Sequence, residues 1–186
     1  MTLKTKFIDQ KIFYDGHQLT PLFAYYNFHI LGPSIISWVG GCSVHPDQMV
    51  DGEDFLAGEK IAGDEMLHFI VELFDVKLIS MVLLQRLFAA QVQQKIFQDY
   101  QVQLHRAGDD LYLAEKKLSI SIAAPAVQST LMHFAMNITN AGTPVPTVSL
   151  PELGVVDVKK FAESLMLLFV KEYESIVNAT CKVKSI

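Results

Sequence analysis

Apolar and polar positions along the chain change their period several times, and each change marks an element. Phe7 to Tyr14 reads as a strand closed by the Asp15-Gly16 turn signal. Ser34 to Val39 is a β-favouring run between Gly32-Pro33 and Gly40-Gly41, which predicts a second strand. Residues 63–72 (GDEMLHFIVE) predict a third, because Phe69-Ile70-Val71 favours extended backbone and Gly63 marks its start. The clearest helical pattern covers 79–100, where Ile79, Leu83, Leu87, Ala90 and Phe97 fall near one stripe. Leu111, Tyr112 and Leu113 then predict a short strand, Ala114-Glu115-Lys116 a turn, and Leu118 to Ala123 an alternating strand. With a side-chain period of two, Leu118, Ile120 and Ile122 share the expected core face, and Lys117, Ser119 and Ser121 share the other. Thr130 to Ile138 predicts a further strand, 141–151 a long Gly/Pro-rich loop, and 158–177 a second helix. In that helix Asp157 is the expected N-cap, and Phe161, Leu165, Leu168 and Ile176 mark the apolar stripe. The order of elements predicts an α+β fold, with helices packed on a mixed, largely antiparallel sheet.

Composition narrows the class. At 186 residues and 51% hydrophobic the chain can bury a full core, so a single domain over 1–186 is expected. A net charge of −5 and a pI near 5.6 argue against a protein that wraps nucleic acid by neutralising phosphates. Cys42 and Cys181 match no metal-ligand spacing and read as free thiols in a reducing compartment. Residues 21–41 are apolar enough to raise a membrane span, but Asn27, His29 and Pro33 interrupt them, so they read as buried strand and loop. The N-terminus lacks the apolar core of a signal peptide. The expectation is a cytoplasmic globular protein with a small-molecule ligand and no membrane partner. The pattern also allows a homodimer.

Three clusters carry candidate chemistry. Lys117 with Ser119 and Ser121 places an ammonium beside two hydroxyls, a surface suited to carbonyl or phosphate oxygens. The competing reading is a hairpin with an exposed lysine at its turn. Asp64, His68 and Glu72 are spaced by four and share a face in either a helix or a strand. They can hold a divalent metal, with oxygen ligands added from Asp51, Glu53 and Asp54. They can also pair a general base with its orienting carboxylate, or form a solvated strand face. His133 shares a strand face with Ala135 and Asn137, where its ring and the amide can meet a ligand or simply satisfy neighbouring backbone. There is no HExxH, CxxC, G-x-S-x-G, Walker A or G-x-G-x-x-G motif, and the residues name no cofactor.

The blocks YDG at 14–16, AYYNFHILGPS at 24–34, GCSV at 41–44, MVDGED at 49–54, IAGDEMLHFIVELF at 61–74, GDDLYLAEKKLSISIA at 108–123 and MHFAMNI at 132–138 run in order. Through them the chain resembles, over nearly its full length, an archaeal and bacterial family designated domain of unknown function 366. More faintly, the order of blocks is similar to that of biotin and lipoyl protein ligases and of class II aminoacyl-tRNA synthetase catalytic domains, which implies their fold. PSIISWVGG at 33–41 resembles the strand beside the acyl pocket of those ligases. GDDLYLAEKKLSIS at 108–121 resembles their stretch leading to a lysine, which implies that Lys117 contacts an acyl carbonyl or an adenylate phosphate. MHFAMNI followed by PTVSLPELG at 146–154 resembles the next strand and loop of octanoyl transferases.

Two departures qualify this. IAGDEMLH stands where the ligases carry an arginine- and glycine-rich segment, and Asp64 and Glu65 put negative charge where a nucleotide phosphate would approach. Only Gly63 and His68 carry over from that segment. NITNAGTPVPTVSL at 137–150 lacks the cysteine that octanoyl transferases use. The implied pocket is lined by Lys117, Ser119, Ser121, Asp109, His68, Asn27, His133 and Gly63. The implied enzyme is a group transferase for a small carboxylated or carbonyl-bearing molecule, in which Lys117 polarises the oxygen and Asp109 or His68 moves the proton. A non-catalytic binding protein on the same fold is the alternative, and a metal-dependent hydrolase built on Asp64, His68 and Glu72 is a third reading.

Overall fold

The computed structural model describes residues 2–184. In chain order the elements are β1 (Lys4–Ile8), α1 (Phe23–Phe28), β2 (Ser34–Val44), α2 (Gly52–Ala57), β3 (Ile61–Phe74) and α3 (Leu78–Tyr100). They are followed by β4 (His105–Ala107), β5 (Asp110–Leu113), β6 (Lys116–Lys117), β7 (Ser119–Pro125), β8 (Ser129–Asn137) and α4 (Val158–Cys181). Five strands form one sheet in the order β1-β2-β3-β8-β7, and β4-β5-β6 form a small second sheet. β1 runs parallel to β2, and the other pairs are antiparallel, so the fold is α+β with a mixed, largely antiparallel sheet.

The central strand shows how the two faces divide. Along β3, Leu67, Phe69, Val71 and Leu73 join the core beneath α3 and α4, while Met66 and Ile70 belong to a second core on the opposite face. A strand covered on both sides needs apolar residues at nearly every position, and LHFIVELF approaches that. On the helix side, Phe88 meets Phe69, Phe134 and Phe169 edge-on with centroids 5.1–5.4 Å apart.

Several expectations need correction. The strand expected at Phe7–Tyr14 begins at Lys4 and leaves the sheet after Ile8. The chain then crosses over β2: the Ile12 carbonyl accepts from Trp38 Nε1 at 2.9 Å, and Tyr14 forms a lone parallel bridge to Cys42. Gly40 makes this crossing possible, because a Cβ there would lie 1.8 Å from the Ile12 oxygen. The Gly40-Gly41 pair therefore carries a bulge within β2 and does not end the strand. Residues 23–28, expected as strand or loop, are helical.

In α3 the buried side is Met81, Leu84, Phe88, Val92 and Ile96, whereas Ile79, Leu83 and Phe97 are 65%, 63% and 45% exposed. The helix is apolar nearly all round at its start, so periodicity alone could not orient it. In α4, Asp157 caps as expected by accepting from the Lys160 N–H at 2.9 Å, and Phe161 and Leu165 are buried. Leu168 and Ile176 lie outside that core, at 37% and 38% exposed. No helix among the described residues is long and apolar enough to cross a membrane.

Truncating Phe88 to Ala removes the centre of the aromatic cluster and should cost about 3–5 kcal/mol. Leu83→Ala, on the rejected stripe, should stay within about 0.5 kcal/mol of the parent. Urea midpoints of the two variants check the assignment of the buried face.

Candidate functional site

The chain kinks at Leu118, which is fully buried against the helix-side core and separates β6 from β7. Lys117 thus belongs to the small sheet, paired with Tyr112, while Ser119 pairs with Met136 in the large one. The expected single face of Lys117, Ser119 and Ser121 is therefore broken, and its sense is reversed. Ser119, Ser121 and Ala123 stand opposite Met136, Phe134 and Met132 on the helix side. Ile120 and Ile122, expected in the core, stand opposite Ala135 and His133 on the other face.

That other face carries a cleft of about 510 Å³ beside Lys117. It adjoins a narrower inner end of about 50 Å³ whose own lining is Tyr14, Val44, Gln48, Met49, Val50, Ile122 and His133. The two share Asp51, Asp54, Ile61, Ile120 and Ser121, so a polar mouth runs into a recess whose walls mix apolar side chains with a few polar ones. A cleft of this size falls in the range of small-molecule sites.

Lys117 is held from both of its backbone groups. Its N–H donates to Pro146 O at 3.0 Å, and its carbonyl accepts from Val148 N–H at 3.1 Å and from Asn137 Nδ2 at 3.1 Å. Its ammonium meets Asp110 Oδ2 at 2.8 Å, with the side chains 28% and 27% exposed. Tyr112, two residues along β5 on the same side, donates its hydroxyl to that oxygen at 3.3 Å. Burial works against the Lys117 charge, but the hydrogen-bonded Asp110 carboxylate outweighs it and raises the pKa above the ordinary lysine value. Asp54, near enough to feel Lys117, is pushed above the ordinary aspartate range by burial and by Asp51. Asp110 and Asp54 are the carboxylates that sequence reasoning did not assign to this lysine. The alternation of Asp110 and Tyr112 opposite Lys117 was the signal available for the first.

The remaining candidates are distributed differently. Asp109 lines the cleft, but its Oδ2 accepts from Ser121 Oγ at 2.6 Å and from Gln85 Nε2 at 2.8 Å. The Ser119 hydroxyl, buried, accepts from the Leu111 N–H at 3.0 Å. Asn27 is exposed on α1, returns its side-chain N–H to Phe23 O at 2.9 Å and does not reach the cleft. Gly63 is buried on β3, where a Cβ would lie 3.1 Å from Met66 Sδ, and it is not one of the residues that line the cleft.

Asp64, His68 and Glu72 cannot hold one metal ion. Four residues along a strand span about 13 Å, and the three differ in surroundings. Asp64 is exposed, and His68 is fully buried. The buried Glu72 accepts from the Leu22 N–H at 3.0 Å and from the Ser129 hydroxyl at 2.7 Å. This clamp holds Leu22 in a left-handed conformation at φ 62. The spacing was right for a shared face but too long for shared ligation.

His68 does not reach Lys117's cleft either. Its Nε2 lies 3.2 Å from Gly40 O and its Nδ1 3.1 Å from His133 Nε2. Trp38 stacks on His68 with centroids 5.3 Å apart, and Tyr14 stacks on His133 at 3.8 Å. His133 alone of the pair lines the inner end.

Comparison with known proteins agrees with this architecture. A family model described as domain of unknown function (DUF366) matches residues 3–184. The uncharacterized protein MJ0805 of Methanocaldococcus jannaschii is 30% identical over 176 residues, which is 91% of this chain and 79% of that protein. A protein of unknown function from Pyrococcus horikoshi has a structure that matches with a TM-score of 0.94 at 34% identity, covering 100% of both chains. The biotin protein ligase from Aquifex aeolicus in complex with biotin and ATP matches at TM-score 0.58 and 11% identity, over 92% of this chain and 72% of that one. Protein Ta0514 from T. acidophilum with bound lipoic acid matches at TM-score 0.56 and 13% identity, over 92% and 86%. The last two likenesses show the ligase fold.

Burial lowers the His68 pKa from its ordinary 6.5 to about 4 and that of His133 well below 6.5, the latter also because His68 is its neighbour. An unfolded chain takes up these protons below about pH 6.5 and the folded one does not. Stability should therefore be complete above pH 6.5 and decline as pH falls towards 4, with His68 alone contributing roughly 3 kcal/mol to the loss. Chemical denaturation across that window checks this, and a His68→Phe variant should show a shallower decline.

Proposed function

The chain belongs to the DUF366 family, and from its ligase-type fold and its lysine-bearing cleft we propose that it transfers an acyl group from a small carbonyl-bearing molecule. The observation that carries this is the Lys117 ammonium, half-buried at the cleft wall and tied to Asp110. An ammonium has three donors. Asp110 occupies one, which leaves N–H groups for a substrate oxygen.

Charge decides the form of that oxygen. Asp51, Asp54, Glu59, Asp109, Asp110 and Glu115 line the cleft against two cations, Lys60 and Lys117. A free carboxylate or a polyphosphate entering this surface meets repulsion, whereas a neutral carbonyl gains the lysine contact without it. The favoured substrate is therefore an ester, thioester or amide whose apolar arm lies towards Ile120 and Ile122.

An incoming nucleophile would attack the carbonyl carbon, and Lys117 would stabilise the oxyanion that forms. Asp54, with its raised pKa, suits the proton transfer: it takes the proton from the attacking group and returns it to the leaving group as that bond breaks. Asp109 and His68, given this role on sequence grounds, are engaged with Ser121 and Gly40.

The test compares octanamide with octanoate, and lipoamide with lipoate, by calorimetry. Neutral amides should bind more tightly than their acids, and Lys117→Ala should weaken the amides roughly tenfold to a hundredfold. Asp54→Asn should retain amide binding and lose acyl transfer from a thioester to an amine. Tighter binding of the acids, or indifference to Lys117, overturns the assignment.

A further inference from the structure

The stack beneath Tyr14 contains a hydrogen-bond chain whose direction is set at one end. The Gly40 carbonyl can only accept, so His68 Nε2, 3.2 Å away, carries a proton. Among the described residues no carboxylate hydrogen-bonds to either ring, and burial keeps both neutral. Neutral imidazole has one N–H. His68 Nδ1 is therefore an acceptor, and His133 Nε2 donates to it across 3.1 Å. By the same rule His133 Nδ1 holds a bare lone pair.

That lone pair has no partner among the described residues. The sealed, unpartnered side-chain atoms there are Gln91 Oε1 and Thr139 Oγ1. His133 Nδ1 has no hydrogen-bond partner there and is not one of these two sealed atoms, and His133 lines the inner end of the cleft beside Val44, Met49 and Ile122. The ring is 2% exposed and lies flat against Tyr14 at 3.8 Å and 9°, which holds the acceptor in place. Gln48, Asp51 and Asp54 also line this end of the cleft, but beside Val44, Met49 and Ile122 the acceptor on offer is the one fixed by a buried ring, and a buried acceptor left without a donor is costly.

We infer that the inner end of the cleft recognises a hydrogen-bond donor at the far end of the substrate through His133 Nδ1. It selects acyl compounds whose apolar arm ends in a hydroxyl or an amide N–H over those ending in plain alkyl. This rests on the reading of Lys117 as the carbonyl anchor and adds the second point of recognition.

Two measurements test it. Nitrogen-15 correlation spectra of histidine-labelled protein read the tautomers without any ligand. Both rings should carry the proton on Nε2, with His133 Nδ1 pyridine-like, and a protonated His133 Nδ1 overturns the inference. In binding assays, octanamide is compared with its terminally hydroxylated analogue. The analogue should bind roughly three- to tenfold more tightly, and the preference should vanish or reverse in His133→Phe. Equal binding of both amides, still lost in Lys117→Ala, overturns this inference and leaves the carbonyl anchor standing. If neither amide binds, both readings are overturned.

Discussion

The side-chain amide of Asn137 holds the cleft together. Buried at the end of β8, it donates to the carbonyl of Lys117 at 3.1 Å and to that of Val148 at 3.4 Å. Its own backbone adds two more ties, accepting from Leu150 N–H at 2.8 Å and donating to Leu118 O at 3.0 Å. Four segments that are far apart in sequence or direction therefore meet at one residue: the end of β8, the kink at Leu118, the strand bearing Lys117 and the loop through 146–150. Removing the amide would leave the buried Val148 carbonyl without its donor and take one of two donors from the Lys117 carbonyl, loosening the backbone frame that aims the lysine.

The frame matters because the lysine's value depends on its surroundings. In bulk water an ammonium does little for a carbonyl. At a cleft wall, flanked by Asp110 and Tyr112, the charge is retained and its direction restricted. The same carboxylates that keep Lys117 charged make the cleft acidic as a whole. One constraint thus holds the cation in place and also sets the acidic balance of the cleft around it.

The sheet divides the labour. Its helix-side face is closed by α3 and α4 around Phe88 and holds the main core. Its other face holds the smaller core around Trp38 and Ile70, with Tyr14 and α1 laid across part of it. The uncovered remainder is the cleft. Polar residues on this face fall into two kinds: Glu72 and Asn137 satisfy backbone, while His133 and Lys117 keep unsatisfied capacity beside open space. Free capacity, more than residue type, distinguishes a binding group from a structural one.

Much of this was legible in the residues. The strand at 63–72, the helices at 79–100 and 158–177, the Asp157 cap and the α+β class all follow from periodicity and capping chemistry, which act over a few residues. Lys117 could be picked out for the same local reason, since a hairpin brings it opposite Tyr112. Tertiary structure alone decided which stripe of α3 is buried, because an almost uniformly apolar segment is oriented by what it meets. It alone placed Ile120 and Ile122 at the cleft and directed the Ser119 and Ser121 hydroxyls to the helix side of the sheet, because the break at Leu118 shifts the alternation by one position and so exchanges the faces. It also separated Asp64, His68 and Glu72 while joining His68 to His133, since a strand spreads its own residues along its length and brings close only those of its neighbours.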